Sequence, residues 1–238
     1  MKALNLYLAL SFTAFCVLLL PTQASADGIV VDKVYHPYVL PFEREFEWRL
    51  VSHQTDSGNI LAQRLGGGGA ISDTMALEGY LVGERDDNGD FSLEAYELEL
   101  RWQLIEQGKL WADWGALFEL EKKHNEDVYE ATSGFVIEKE FGKTSLTLNA
   151  FLVYEWGQDI QNEWEREFRA QYRYRYRSAF QPSIEVYVGE DFVGIGPGFI
   201  GLQRFDGQKQ LKWEAGFITE ISQSEKNHSF RLALEFEF

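Results

Sequence analysis

The chain has 238 residues, 45% hydrophobic and 15% aromatic, and its 38 acidic residues outnumber 22 Lys and Arg for a formal net charge of −16. That balance argues against nucleic acid as a partner, because phosphate binding draws on clustered Lys and Arg. The single cysteine, Cys16, lies in an N-terminal apolar run, so the rest of the chain has no thiol from which to build a disulfide framework.

Residues 1–26 read as a cleaved secretory signal. Lys2 supplies the positive start, residues 3–20 the apolar run, and Ala24-Ser-Ala26 the small-residue site, with cleavage after Ala26. The apolar run is also long enough for an uncleaved anchor, but Pro21 and the Ala-Ser-Ala site follow it directly. Phe15 before Cys16 speaks against a lipoprotein. Residues 27–41 show no clear period, and Pro37 and Pro41 interrupt ladder bonding. This stretch reads as a periplasmic lead-in, or as a segment tucked into a barrel mouth.

From residue 42 the chain alternates with a period of two, the signature of strands with one apolar and one charged face. Residues 42–53 set Phe42, Phe46, Trp48 and Leu50 against Glu43, Glu45, Glu47 and Arg49. Further segments follow at 73–83, 92–105, 109–121, 129–141, 144–156, 162–177, 181–189, 195–205 and 210–221. The last, from His228, places Phe230, Leu232, Leu234, Phe236 and Phe238 on one parity and Arg231, Glu235 and Glu237 on the other. These make eleven strands, and a bacterial single-chain barrel usually has an even number. Residues 59–70, which include the run Gly66 to Gly69, supply a twelfth; ten is the other even count within reach. No run after the signal approaches the ~18 apolar residues of a membrane helix. The alternation therefore predicts an all-β fold, a transmembrane antiparallel up-and-down β-barrel of about 12 strands over 42–238, rather than a soluble barrel or sandwich with charges outside. Connections near 71–73, 105–109, 141–144, 177–181 and 206–209 look tight, and those on the other side look longer and more polar. That asymmetry would put the tight set in the periplasm and the polar set outside.

The stretch Asp32-Lys-Val-Tyr-His-Pro-Tyr-Val39, followed by Glu43, Glu45 and Arg49, resembles the start of a group of largely uncharacterised proteobacterial outer-membrane β-barrel proteins. The terminal strand ending in Phe238 resembles the closing strand of such barrels. The resemblance implies an address in the bacterial outer membrane. It also implies lipids, lipopolysaccharide and the barrel assembly machinery as partners, and it carries over no catalytic residue.

Several motifs invite a chemical reading. Gly196-Pro-Gly-Phe-Ile-Gly201 has dinucleotide-binding spacing but no expected helix after it, and the Gly66–Gly69 run lacks a phosphate-loop ending. Asp86-Asp-Asn-Gly-Asp90 has calcium-like acidic spacing, yet Asn88-Gly89 is first a hairpin signal. Neither a cofactor nor a metal is expected. Strands one and twelve must meet when the barrel closes, so Ser52-His53 and His228-Ser229 could approach at the rim. A lipid-acting enzyme would use such a pair, but no third group is evident to orient it.

The inward parity carries the main functional signal. It holds twenty acids against eight bases, and a water-filled lumen so charged would concentrate cations. Among the lining residues, Glu97, Glu99, Arg101, Glu138, Glu140, Arg169, Arg173, Arg175, Arg177, Glu235 and Glu237 are the candidates for a constriction. An arginine ladder from Arg169 to Arg177 would reach across to carboxylates near the periplasmic end. The leading reading is a narrow cation-preferring channel for small solutes or ions. A barrel plugged by its own side chains and a rim lipid hydrolase, with His53 and His228 as candidates, are the alternatives.

Overall fold

A computed structural model describes residues 30–54, 58–85, 89–207, 209–222 and 227–238. The signal segment with its cleavage site and most of the acidic turn at 86–90 lie outside the described residues.

The described residues form twelve strands: β1 (Arg44–Gln54), β2 (Asn59–Ala70), β3 (Met75–Arg85), β4 (Phe91–Gln103), β5 (Asp113–Lys123), β6 (Val128–Phe141), β7 (Thr144–Gly157), β8 (Glu163–Tyr174), β9 (Gln181–Val188), β10 (Val193–Arg204), β11 (Gln210–Glu220) and β12 (His228–Glu237). Each pairs antiparallel with its sequence neighbours, and β1 pairs with β12 to close the barrel. The glycine-rich stretch is a full strand, β2, in unbroken register with β1 from Arg44↔Gly69 to Gln54↔Asn59. Its glycines serve packing: a Cβ on Gly66 would fall 2.3 Å from the Tyr80 ring, which lies on the neighbouring strand inside the barrel.

The barrel is inverted relative to a soluble protein. Outward side chains are large and apolar, with Phe46, Leu98, Phe135, Ile184 and Phe217 all about half exposed, whereas Glu47, Glu78, Glu99, Glu138, Glu185 and Glu214 are fully buried inside. Apolar surface on that scale exceeds what a water-facing monomer carries and suits a hydrocarbon surround. Strands of eight to fourteen residues can cross a bilayer when tilted.

Arg44 and Glu237 lie at one end of the barrel, here the terminal end; the other is the distal end. The expected contrast in connection length is absent. The β4–β5 connection at the terminal end runs over 104–112 and is the longest of all, while the distal β5–β6 and β9–β10 connections span only 124–127 and 189–192. The cause is local. Leu104 N donates to Trp114 O and Lys109 N to Glu106 O, with Gly108 at φ 75°, so a folded turn replaces the first residues of the expected fifth strand. Likewise β8 stops at Tyr174 rather than 177, because the Arg177↔Phe180 bridge starts the reversal into β9.

Residues 30–39 lie inside the barrel. They run from Val30, packed beside Gly189 at the distal end, to Val39 beside Gln103 at the terminal end. There Phe42, at φ 67°, turns the chain into β1. This strap has its own apolar contacts with the wall. Val31 and Val34 pack with Tyr187 and Ile218, and Tyr35 packs with Leu117, Val136 and Phe151.

Candidate functional site

The candidate site is the lumen, and its geometry is set by the strap. A non-helical segment inside a barrel looks to the wall for partners for its backbone polar groups, and five such bonds are made here. Asn149 accepts from Tyr35 N at 2.8 Å and donates to Tyr35 O at 2.9 Å. Arg169 donates to Lys33 O at 2.8 Å, and the Tyr187 hydroxyl to Asp32 O at 2.7 Å. Gln103 accepts from Val39 N at 3.1 Å. Gly115 lets the strap come close: a Cβ there would sit 3.0 Å from Pro37.

Side chains of the strap then cross-link the wall. Asp32 lies between three guanidiniums, Arg64 at 2.6 Å, Arg49 at 3.3 Å and Arg169 at 3.8 Å. Lys33 bridges Glu47 and Glu235 at 3.0 and 2.9 Å. The Tyr35 hydroxyl donates to Glu99 at 2.7 Å and accepts from Arg49 at 3.0 Å. His36 Nδ1 lies 2.6 Å from Glu138, and the Tyr38 hydroxyl donates to Asp113 at 3.0 Å. One strap thus touches inward residues of β1, β2, β4, β5, β6, β7, β8, β9, β11 and β12.

The wall residues proposed for a constriction divide into groups. Arg101 joins Glu78 to Glu45, the latter at 2.9 Å, with Glu99 at 3.7 Å. Arg173 reaches Glu138 at 3.0 Å and Arg175 pairs with Glu140, two strands away. Arg169 is higher and belongs to the strap contacts. Arg177 does not join the row: it lies past the end of β8, over the Tyr176 ring. Glu235 is held by Lys33 and Lys212, and Glu237 accepts from Gln210. Glu97 meets Arg64 at 2.9 Å. Beside the strap next to Gly115 only about 10 Å³ of free space remains, roughly the room for one water. A cleft of about 370 Å³ opens at the terminal end between Leu40, Phe42, Phe205 and Phe238.

Sequence parity missed Glu130 among the inward acids, Arg64 and Lys123 among the bases, and the strap residues Asp32 and Lys33. With them included, the excess of negative charge is nearly unchanged.

At the distal rim, strands one and twelve do meet, but alternation splits the two Ser-His pairs. His53 and Ser229 are direct partners in register and face inward, with His53 Nδ1 2.8 Å from Ser229 Oγ. Ser52 instead donates to Asn59, and His228 stacks on Phe217. Ser229 is 1% exposed, and among the described residues no carboxylate hydrogen-bonds His53 to orient it.

No protein-family model matches the chain, and no curated protein does. Solved structures are similar in fold. The COG4313 outer membrane channel from Pseudomonas putida F1 matches with a TM-score of 0.58 at 13% identity, covering 87% of this chain and 100% of that one. A KdgM porin in complex with disordered oligogalacturonate matches with a TM-score of 0.54 at 10% identity, covering 82% of this chain and 99% of that one. The fold is that of outer-membrane channels.

Proposed function

We propose that this chain is a narrow, cation-preferring outer-membrane channel for small solutes or ions, closed by its own strap in the conformation described. The signal segment exports it, the terminal end faces the periplasm, and lipids and lipopolysaccharide surround the apolar band. The observation that carries the reading is the lining: an inward face dominated by glutamates in a barrel whose fold is shared with channels. Fixed negative charge around a narrow aqueous path favours cations. The strap is a separate element, continuous with the barrel only through β1, so it can close the path without being part of the wall.

A barrel closed permanently, with a structural or surface-binding role, is the second reading, favoured by the number of strap contacts. Planar-bilayer recording separates the two. A conducting channel shows discrete openings and, across a tenfold KCl gradient, a reversal potential of cation sign. Silence of folded protein under all voltages, or an anion-signed potential, would refute the proposal. The rim pair is built into the wall rather than opened to substrate, and the barrel is proposed to be no enzyme.

A further inference from the structure

A row of glutamates runs across the inner wall in direct register. Glu97 faces Glu121, Glu121 faces Glu130, Glu130 faces Glu155, and Glu155 faces Glu163 across four successive strand pairs. Like charges directly opposite one another work against a sheet. Elsewhere in the lumen the acids are interleaved with Arg and Lys; here compensation is sparse. Arg64 reaches one oxygen of Glu97 at 2.9 Å but is already bonded to Asp32 at 2.6 Å, and among the described residues Lys123 pairs with Glu155, at 3.3 Å.

The carboxylates converge at one point of this row. Oxygens of Glu97, Glu119 and Glu121 all lie within 4.8 Å of one another, and Glu130 stands beside Glu121. A second observation points to a ligand. Glu97 is 4% exposed, yet its Oε1 accepts no hydrogen bond among the described residues. Glu99, directly across from Glu119, is by contrast served by Arg101, Arg49 and Tyr35. A buried carboxylate oxygen without a donor, set in a knot of acids, calls for a positive group that the wall does not supply there.

We propose that Glu97, Glu119 and Glu121, with Glu130 beside them, bind a hard divalent cation, calcium in preference to magnesium, in the lumen beside the strap. The donor set is all oxygen, which suits these ions and not the thiolate- and imidazole-seeking metals. Carboxylates on neighbouring strands offer a flexible, many-oxygen shell, which suits calcium better than the strict octahedron of magnesium. Glu119 and Glu121 are only half-buried, so the site can be reached from the distal end. Binding is a property of the folded barrel and does not depend on whether the lumen conducts.

The test uses full-length mature protein refolded in detergent, free of lipopolysaccharide because that lipid itself binds divalent cations. After chelator treatment, the protein is titrated with calcium chloride by calorimetry, and its thermal unfolding is followed with and without the ion. The expected result is saturable binding of about one ion per barrel with a midpoint between about 0.01 and 1 mM, and a higher unfolding temperature with calcium. Glu119→Gln with Glu121→Gln should weaken binding at least about tenfold and, in chelator, unfold at a higher temperature than the parent because repulsion is relieved. Glu106→Gln, in the exposed β4–β5 turn, should bind like the parent. Should the double variant fail to fold, Glu121→Gln alone carries the same expectation. Folded parent protein that shows no saturable binding up to about 10 mM calcium, or variants that bind as tightly as the parent, would overturn the proposal.

Discussion

Asp32 is the residue on which closure of the lumen turns. It joins the strap to Arg49 on β1, Arg64 on β2 and Arg169 on β8. Each arginine keeps another partner without it: Arg49 has Glu47 and Glu99, Arg64 has Glu97, and Arg169 has Glu167. Asp32→Ala therefore weakens strap docking far more than the barrel itself. Removing one partner of a buried ionic group costs about 3 kcal/mol at the low end, or about two orders of magnitude in the ratio of docked to displaced strap. A complementary change fixes the strap. A Cβ on Gly189 would lie 3.5 Å from that of Val30, within the range a disulfide requires, and no native cysteine follows residue 26. Val30→Cys with Gly189→Cys thus ties down the distal end of a segment already tied at β1. In planar bilayers Asp32→Ala should open far more often than the parent. The oxidised tether should be nearly silent and should recover on reduction. Folded Asp32→Ala with parental open probability, or an oxidised tether that conducts like the parent, would show that ions do not depend on the strap, and the reasoning would fall.

Replacing Arg173 and Arg175 by Gln removes two positive charges at the terminal end and releases Glu140, while Glu138 keeps His36 and Thr147. The cation-to-anion permeability ratio should rise roughly two- to fivefold, the scale of about 0.4 to 1 kcal/mol from partly screened charges; an unchanged ratio in folded protein would place these arginines off the conducting route. At the distal rim, purified protein should release no fatty acid from phospholipid or lipopolysaccharide. Hydrolysis that disappears in His53→Ala would make the buried pair with Ser229 a working one.

The wall was legible because a two-residue period leaves little freedom: once one face is apolar, every side chain of a strand is assigned. That logic gave β12 from the row Phe230 to Phe238, and parity alone asked for a strand over 59–70, where four glycines hide the pattern. It also brought Ser52-His53 and His228-Ser229 to one rim, and the register then pairs His53 with Ser229. Connections were less legible, because a turn such as 104–112 depends on a few hydrogen bonds and one glycine at positive φ rather than on periodicity. Arg177 was misplaced for the same reason, since the alternation continues past the last residue that the ladder holds.

The strap was legible only as one of two readings, a lead-in or a segment tucked into the barrel mouth, and its path was hidden by a different cause. Residues 30–39 have no period because they are held by side chains of ten strands rather than by a ladder, and no local pattern records that. Its imprint is on the wall. Where the strap packs, apolar residues occur on both parities in succession, as in Ala116-Leu-Phe118, Ala150-Phe-Leu-Val153 and Phe217-Ile218. Leu117, Phe151, Val153 and Ile218 face inward and are buried. A strand with water inside and lipid outside has no use for such runs; a strand covered on both faces does. The two apolar clusters lie on different parts of the wall, one toward β9 and β11 and the other toward β5, β6 and β7. They bracket the segment between Val31 and Tyr35, where Asp32 and Lys33 make their ion pairs. The apolar contacts thus set where the strap lies, and the charges fix its depth along the lumen.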